Sequence, residues 1–136
     1  MKEFLWPIRI YYEDTDNGGV VYHTNYLKYM ERARTEMLRS HGFEQDQLID
    51  QENIIFAVRS MNIDYLKPAR FNDLLEVGTK ITRFGKASLV FEQTVKAQDD
   101  PILLCKADIK IACLDASLLR PCPIPENIIG KINNAD

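Results

Sequence analysis

Cysteine is scarce in this sequence: Cys105, Cys113 and Cys122 are the only three, spaced eight and nine residues apart, and no C-x-x-C occurs. That supports neither a disulfide framework nor a zinc-ligand pattern, so no metal is expected. A basic surplus is missing as well. Seventeen Lys and Arg stand against 20 Asp and Glu, a net charge of −3, which argues against a general nucleic-acid or anionic-membrane binder. Long apolar runs are absent: the patch Phe4 to Ile8 is broken by Pro7 and ended by Arg9. It is too short for a signal-peptide core, and nothing approaches a membrane span. There is no G-x-S-x-G, the mark of a serine-hydrolase elbow. A reducing, cytoplasmic setting is the expectation.

What remains is an ordinary globular composition, 46% hydrophobic and 27% charged over 136 residues, enough to bury a core without staples. No repeat, low-complexity tract or linker divides it, so residues 1–136 read as one domain. Phe4, Trp6, Ile8, Ile10 and Tyr12 alternate with Arg9 and Tyr11, the period-two pattern of a strand. An acidic, glycine-bearing loop follows, Glu13 to Gly19. The period then changes. Tyr26, Tyr29, Met30, Ala33 and Met37 recur at the spacing of one helical face. Thr24 or Asn25 is the expected N-cap and Gly42 the expected stop. Arg32, Glu36 and Arg39 mark the wetter side.

From Ile54 onward the sequence reads as strand. Leu75, Val77, Thr79 and Ile81 share a face, as do Leu89, Phe91, Gln93 and Val95, and the set Leu103, Cys105, Ala107, Ile109, Ile111 and Cys113. This is an antiparallel sheet with one dry face, broken by turns at Lys67-Pro68, Asn72-Asp73, Phe84-Gly85 and Asp99-Asp100-Pro101. The proline-rich stretch after Asp115 reads as irregular. One strand, one long helix and four strands give an α+β fold, a five-stranded antiparallel sheet wrapped around one central helix. Exposed sheet edges invite a second copy of the chain.

Two histidines are present, His23 and His41. His41 sits at the helix stop, where a capping cation is the ordinary role. His23 lies between the glycine loop and the helix, seven residues after Asp16. A loop aspartate beside glycines is ordinarily a turn former, and a histidine there ordinarily packs or caps. Together they place a carboxylate, an imidazole, the backbone freedom of Gly18 and Gly19, and unpaired N–H groups at one helix start. Such N–H groups polarise a carbonyl whose oxygen turns negative in the transition state, each worth about 3 kcal/mol. Acyl transfer would use that arrangement.

The run Tyr11-Tyr12-Glu13-Asp14-Thr15-Asp16-Asn17-Gly18-Gly19-Val20-Val21-Tyr22-His23-Thr24-Asn25-Tyr26 resembles the signature of the 4-hydroxybenzoyl-CoA thioesterase family. Within that family it resembles the YbgC-type branch associated with the bacterial Tol–Pal system. The resemblance continues through Tyr29 to Glu36, at Asp64-Tyr65 with Pro68-Ala69-Arg70, and at Ser88 to Phe91. It implies the hot-dog fold, with active sites formed between two subunits of a homodimer or homotetramer. It implies hydrolysis of an acyl-CoA or acyl-carrier-protein thioester, with a peripheral link to envelope or lipid metabolism. Asp16 matches the family's catalytic carboxylate, as nucleophile or as base for water. His23 falls where the family places the oxyanion-binding backbone N–H, and its ring is a second catalytic candidate. The resemblance also implies substrate-binding roles for Gly19, Val20, Tyr22, Asn25 and Tyr26. Lys86 and Ser88 match a basic turn near the coenzyme A phosphates, Arg59 and Arg70 being weaker candidates. Glu31, an acid on the helix, is a candidate support. No separate cofactor is implied, since coenzyme A is part of the substrate.

Two alternatives stay open on residues alone. A hot-dog dehydratase would pair a loop histidine with a helix acid. A non-catalytic protein would use Arg32, Arg34 and Arg39 to bind an acidic partner such as acyl carrier protein.

Overall fold

The computed structural model describes residues 2–133. Five strands form one antiparallel sheet: β1 Phe4–Arg9, β2 Ile54–Tyr65, β3 Leu74–Phe84, β4 Ser88–Ala97 and β5 Leu103–Asp115, in the order β1-β3-β4-β5-β2. The dry face is the one the alternation marks. Leu75, Val77, Thr79 and Ile81 of β3, Leu89, Phe91, Gln93 and Val95 of β4, and Cys105 to Cys113 of β5 are buried at every second position. Pro7 is tolerated because β1 is an edge strand with only β3 as neighbour, and a proline there removes no needed ladder bond.

Helix α1, Asn25–Ser40, lies over that face. Its sixteen residues span about 24 Å. Tyr26, Tyr29, Met30, Ala33 and Met37 are buried as the spacing requires, with Leu38 and Arg34 beside them. Gly42 ends the helix in the left-handed region at φ 91. The Gly42 and Phe43 N–H groups donate to Arg39 O and Leu38 O, the Schellman arrangement that a residue without Cβ permits.

The buried Arg34 corrects its reading as a surface cation. It stands four residues after Met30 and four before Leu38, so helical geometry turns it inward. Its Nη1 donates to Gln93 Oε1 at 2.9 Å, and Gln93 Nε2 donates to Thr79 Oγ1 at 2.8 Å and Met30 O at 2.9 Å. Gln93 thus accepts from the buried guanidinium, donates to Thr79 and Met30, and bolts α1 to β3 and β4.

Three local expectations are also corrected. The first strand stops at Arg9, and a 3-10 turn at Tyr12–Asp14 breaks the alternation. Tyr12 is therefore 76% exposed and stacks on Phe71 with ring centroids 4.0 Å apart. A short helix α2, Gln45–Glu52, precedes β2 and ends at Asn53 in the left-handed region. Only Leu48 is buried on it, too thin a stripe for periodicity to reveal. The tail is not irregular throughout, because α3 spans Glu126–Asn133. Ile124, Ile128 and Ile132 are buried at a spacing of four, and Pro125 supplies a helix-starting carbonyl to Ile128 and Ile129. Proline is compatible with a helix start. No helix among the described residues is long and apolar enough to cross a membrane.

Candidate functional site

The loop between β1 and α1 folds back on itself as a small antiparallel finger. Thr15 bridges Val21, and Asp16 N–H donates to Val20 O at 2.9 Å. Asp16 Oδ1 accepts the Gly18 N–H at 2.8 Å. A Cβ on residue 18 would sit 3.2 Å from that oxygen, and Gly19 adopts φ +77, so both glycines serve the bend. Asp16 is exposed, and Oδ1 is its only hydrogen-bonded carboxylate oxygen among the described residues. One oxygen is thus fixed and the other open.

Asp14 holds the finger against the helix. Its carboxylate accepts the Tyr11 N–H at 2.8 Å. Its carbonyl accepts both the Tyr22 N–H and Asn25 Nδ2, each at 2.9 Å. Asn25 is consequently the first helical residue and an anchor, while Thr24 occupies the N-cap position without a side-chain cap bond. The His23 and Thr24 N–H groups meet no acceptor among the described residues. Uncapped donors at the positive end of a helix are a site for developing negative charge.

Aromatic rings wall this helix start. His23 packs tilted against Tyr22 at 4.5 Å and edge-on to Tyr65 at 5.9 Å, and Tyr65 meets Tyr26 at 5.6 Å. The Tyr65 hydroxyl donates to His23 O at 3.1 Å, while Tyr26 Oη accepts the Ala69 N–H at 3.0 Å. Burial raises the pKa of both phenols. A cavity of about 250 Å³ opens beside them, lined by Val21, His23, Tyr26, Tyr65, Leu66 and neighbouring residues.

The other candidates lie elsewhere. Val20 bridges Arg70, and Val21 N–H donates to Ala69 O, so the finger packs on the segment just before β3. Lys86 and Ser88 sit beyond the far end of β3, whose eleven residues run Leu74–Phe84. That separation is roughly 30 Å. One chain therefore does not bring Lys86 and Asp16 to a common point. Glu31 is exposed and lines a different cavity, shared with Arg34, Leu38, Phe56 and Phe91. Within one chain the His23 and Glu31 side chains thus face different cavities. Arg59 and Arg70 are exposed, and Arg70 meets Asp73 through its backbone N–H rather than its guanidinium.

Comparison with known proteins identifies the family and the fold. Residues 18–103 match the 4HBT thioesterase-superfamily model, a span that opens two residues after Asp16. The acyl-CoA thioester hydrolase YbgC of Escherichia coli O6:H1 is 45% identical over 94% of each chain. The acyl-CoA thioesterase YbgC of Haemophilus influenzae is 42% identical over 92% of this chain and 90% of its own. The crystal structure of a probable thioesterase from Bartonella henselae superposes with a TM-score of 0.85 at 34% identity, covering 91% of this chain and all of that one. The chain belongs to the thioesterase superfamily.

Its sheet and long helix are those of the hot-dog fold, and as a thioester hydrolase it must hold a carbonyl and deliver an oxygen nucleophile. Residue patterns single out the carboxylate, the glycines and the helix-opening amides. They pass over Tyr65, which reads only as part of a motif ahead of the Lys67-Pro68 turn. Its contact with His23 crosses 42 residues, and no local period reports that. The signal available in sequence is an aromatic residue ending a strand opposite an aromatic-rich helix start.

Proposed function

We propose that this thioesterase hydrolyses acyl-CoA thioesters, with Asp16 as the reacting carboxylate and the opening of α1 as the oxyanion site. The observation that carries the reading is the uncapped helix start: among the described residues the His23 and Thr24 N–H groups face no protein acceptor, and the loop leading into it carries a carboxylate with one oxygen outside any hydrogen bond. A thioester carbonyl accepting those N–H groups gains most as its oxygen becomes negative. The free Asp16 oxygen then either attacks the carbonyl carbon or removes a proton from an attacking water. In the first route the thiolate leaves, and water cleaves the resulting mixed anhydride. In the second, water adds directly and the thiolate leaves from the tetrahedral intermediate. Both routes give a carboxylic acid and free coenzyme A, and neither requires a metal or redox cofactor.

The relatives named as acyl-CoA thioesterases support coenzyme A as the carrier. The roughly 30 Å between the Asp16 finger and the Lys86 turn supports a site shared by two chains. One chain supplies Asp16 and its helix start, and the partner supplies Lys86 and Ser88 to the phosphates. The long exposed edge of β2, with Val58 52% and Tyr65 45% exposed, supports the same assembly.

Asp16→Asn keeps the Oδ1 acceptor for Gly18 and removes the charge. It is expected to fold normally and to lose roughly 10²–10⁴-fold in kcat on acyl-CoA. Turnover within about threefold of wild type would overturn the assignment of Asp16. Label in the Asp16 carboxylate after single-turnover hydrolysis in ¹⁸O water would identify the anhydride route, since only water attacking the Asp16 acyl carbon of an anhydride puts it there.

A further inference from the structure

Two of the three thiols face one another where the C-terminal segment returns along β5. The Asp115 N–H donates to Arg120 O at 2.8 Å and the Cys122 N–H to Cys113 O at 3.0 Å. Leu114 thereby bridges Pro121 in antiparallel fashion, and Cys113 stands directly opposite Cys122. Their Sγ atoms are 3.8 Å apart. Residues opposed across an antiparallel pair have Cα atoms about 4.5–5.5 Å apart, inside the roughly 4.4–6.8 Å that a disulfide spans. Closing the bond needs the sulfurs to approach by less than about 2 Å, within reach of side-chain rotation. Cys113 is buried and Cys122 partly exposed, while Cys105 is buried elsewhere on β5.

We propose that Cys113 and Cys122 are a reversible oxidation site, a dithiol that closes to an intrachain disulfide and ties the C-terminal segment to β5. Partial exposure makes Cys122 the entry point. Its thiolate attacks a peroxide oxygen, the O–O bond breaks, and a sulfenic acid and one water result once protons are returned. The Cys113 sulfur then attacks the Cys122 sulfur and gives up its proton. The S–O bond breaks and a second water leaves. Two thiols are oxidised by two electrons in total and one peroxide is reduced to two waters. The order follows from access, and burial supports it by pushing the Cys113 thiol up to about 12, with the Cys122 thiol adding to the effect. Cys113 is the resolving partner.

The pair sits under the β3–β4 turn. The Cys113 N–H donates to Ala87 O at 2.8 Å, and the Ile124 N–H donates to Lys86 O at 2.9 Å. A bond between the two sulfurs therefore fastens both strands of backbone that hold this turn, together with the start of α3. Closing a loop of ten residues, Cys113 to Cys122, is expected to raise the unfolding midpoint by about 5–10 °C.

The test uses the full-length, folded protein, reduced and then exposed to hydrogen peroxide at one to a few equivalents. Thiol titration in denaturant should fall from three groups per chain to one, intact mass should drop by about 2 Da, and peptide mapping should join Cys113 to Cys122. Dithiothreitol should restore three thiols. Cys105→Ala, a small apolar change at a buried position, should fall from two thiols to none with the same loss of about 2 Da. Cys122→Ser, altering a partly exposed side chain, should fold and keep both remaining thiols out of any intrachain bond. Three unreacted thiols, a sulfinic acid on Cys122, or a bond between chains would each overturn the proposal. None of these readouts depends on turnover, so they stand apart from the fate of the Asp16 assignment.

Discussion

Replacing Gln93 by methionine tests the bolt between helix and sheet. Methionine nearly matches the glutamine in length and volume, so little cavity or overpacking cost enters. What is lost can be read from three bonds. The Arg34 guanidinium loses its Gln93 acceptor at 2.9 Å, a charge-assisted bond worth about 1.5–3 kcal/mol. The buried Thr79 hydroxyl loses its Gln93 donor at 2.8 Å, about 1 kcal/mol. The Met30 carbonyl loses less, because it lies within α1 and keeps a helical partner. Removing a buried amide returns about 1 kcal/mol of desolvation. Arg34 is not stranded altogether: burial lowers its pKa, but Glu31 nearby opposes that. The net expectation is a destabilisation of about 3 kcal/mol, or roughly a hundredfold in the folding equilibrium, and a midpoint lower by about 10 °C.

Urea unfolding at one fixed protein concentration measures it, because association would otherwise contribute, and the slope m should not change. The decisive arm is a double-mutant cycle with Arg34→Met. Each single change strands a buried polar partner, whereas the pair removes both. Gln93→Met/Arg34→Met should therefore be more stable than the sum of the single changes implies, by at least about 1.5 kcal/mol. A single-mutant cost below about 1 kcal/mol, or additivity within about 0.5 kcal/mol, refutes the reasoning.

Two further outcomes follow from the site and the C-terminal turn. Tyr65→Phe removes the donor to His23 O while keeping the ring. One neutral hydrogen bond corresponds to about a 3–10-fold loss in kcat, with KM and the melting midpoint little moved; an unchanged kcat would show that this contact does not order the helix start. Asp115 is held below its ordinary carboxylate range chiefly by the Leu118 N–H, with the Ser117 N–H and the Asn53 amide beside it. A depressed folded value stabilises above the unfolded pKa near about 3.9 and is lost as pH falls through the lower folded value. Protection of the Ser117 and Leu118 amides, measured against the unstructured exchange rate at the same pH, should accordingly fall below about pH 4 in the native chain. The Asp115→Asn variant should lack that acid step, and an identical acid step in both proteins would refute the assignment.

The strands were legible because a sheet with one dry face imposes period two over long runs, and β3, β4 and β5 keep it over most of their length. The helix was legible because Tyr26, Tyr29, Met30, Ala33 and Met37 form one stripe. Where a local device broke the period, the pattern misled. The 3-10 turn at Tyr12–Asp14 reversed the expected direction of Tyr12, and the prolines near the C-terminus obscured the four-residue spacing of Ile124, Ile128 and Ile132. Arg34 is a charged residue on the apolar stripe, so residue type points it outward while helical geometry turns it inward.

By itself, then, the sequence determined the alternation that builds the sheet, the stripe that seats α1, and the short run from Asp16 to Tyr26 that concentrates a carboxylate, two glycines and a helix start. Those are local properties, fixed by φ/ψ preference and by periods of 2 and 3.6 residues. Only the tertiary structure decided that Gln93 answers Arg34, that Tyr65 reaches His23, and that Cys113 stands opposite Cys122. It also decided that the Lys86 turn and the Asp16 finger occupy opposite ends of β3. Each of those depends on which strands become neighbours and in what register, and register is set by long-range packing rather than by nearest neighbours along the chain.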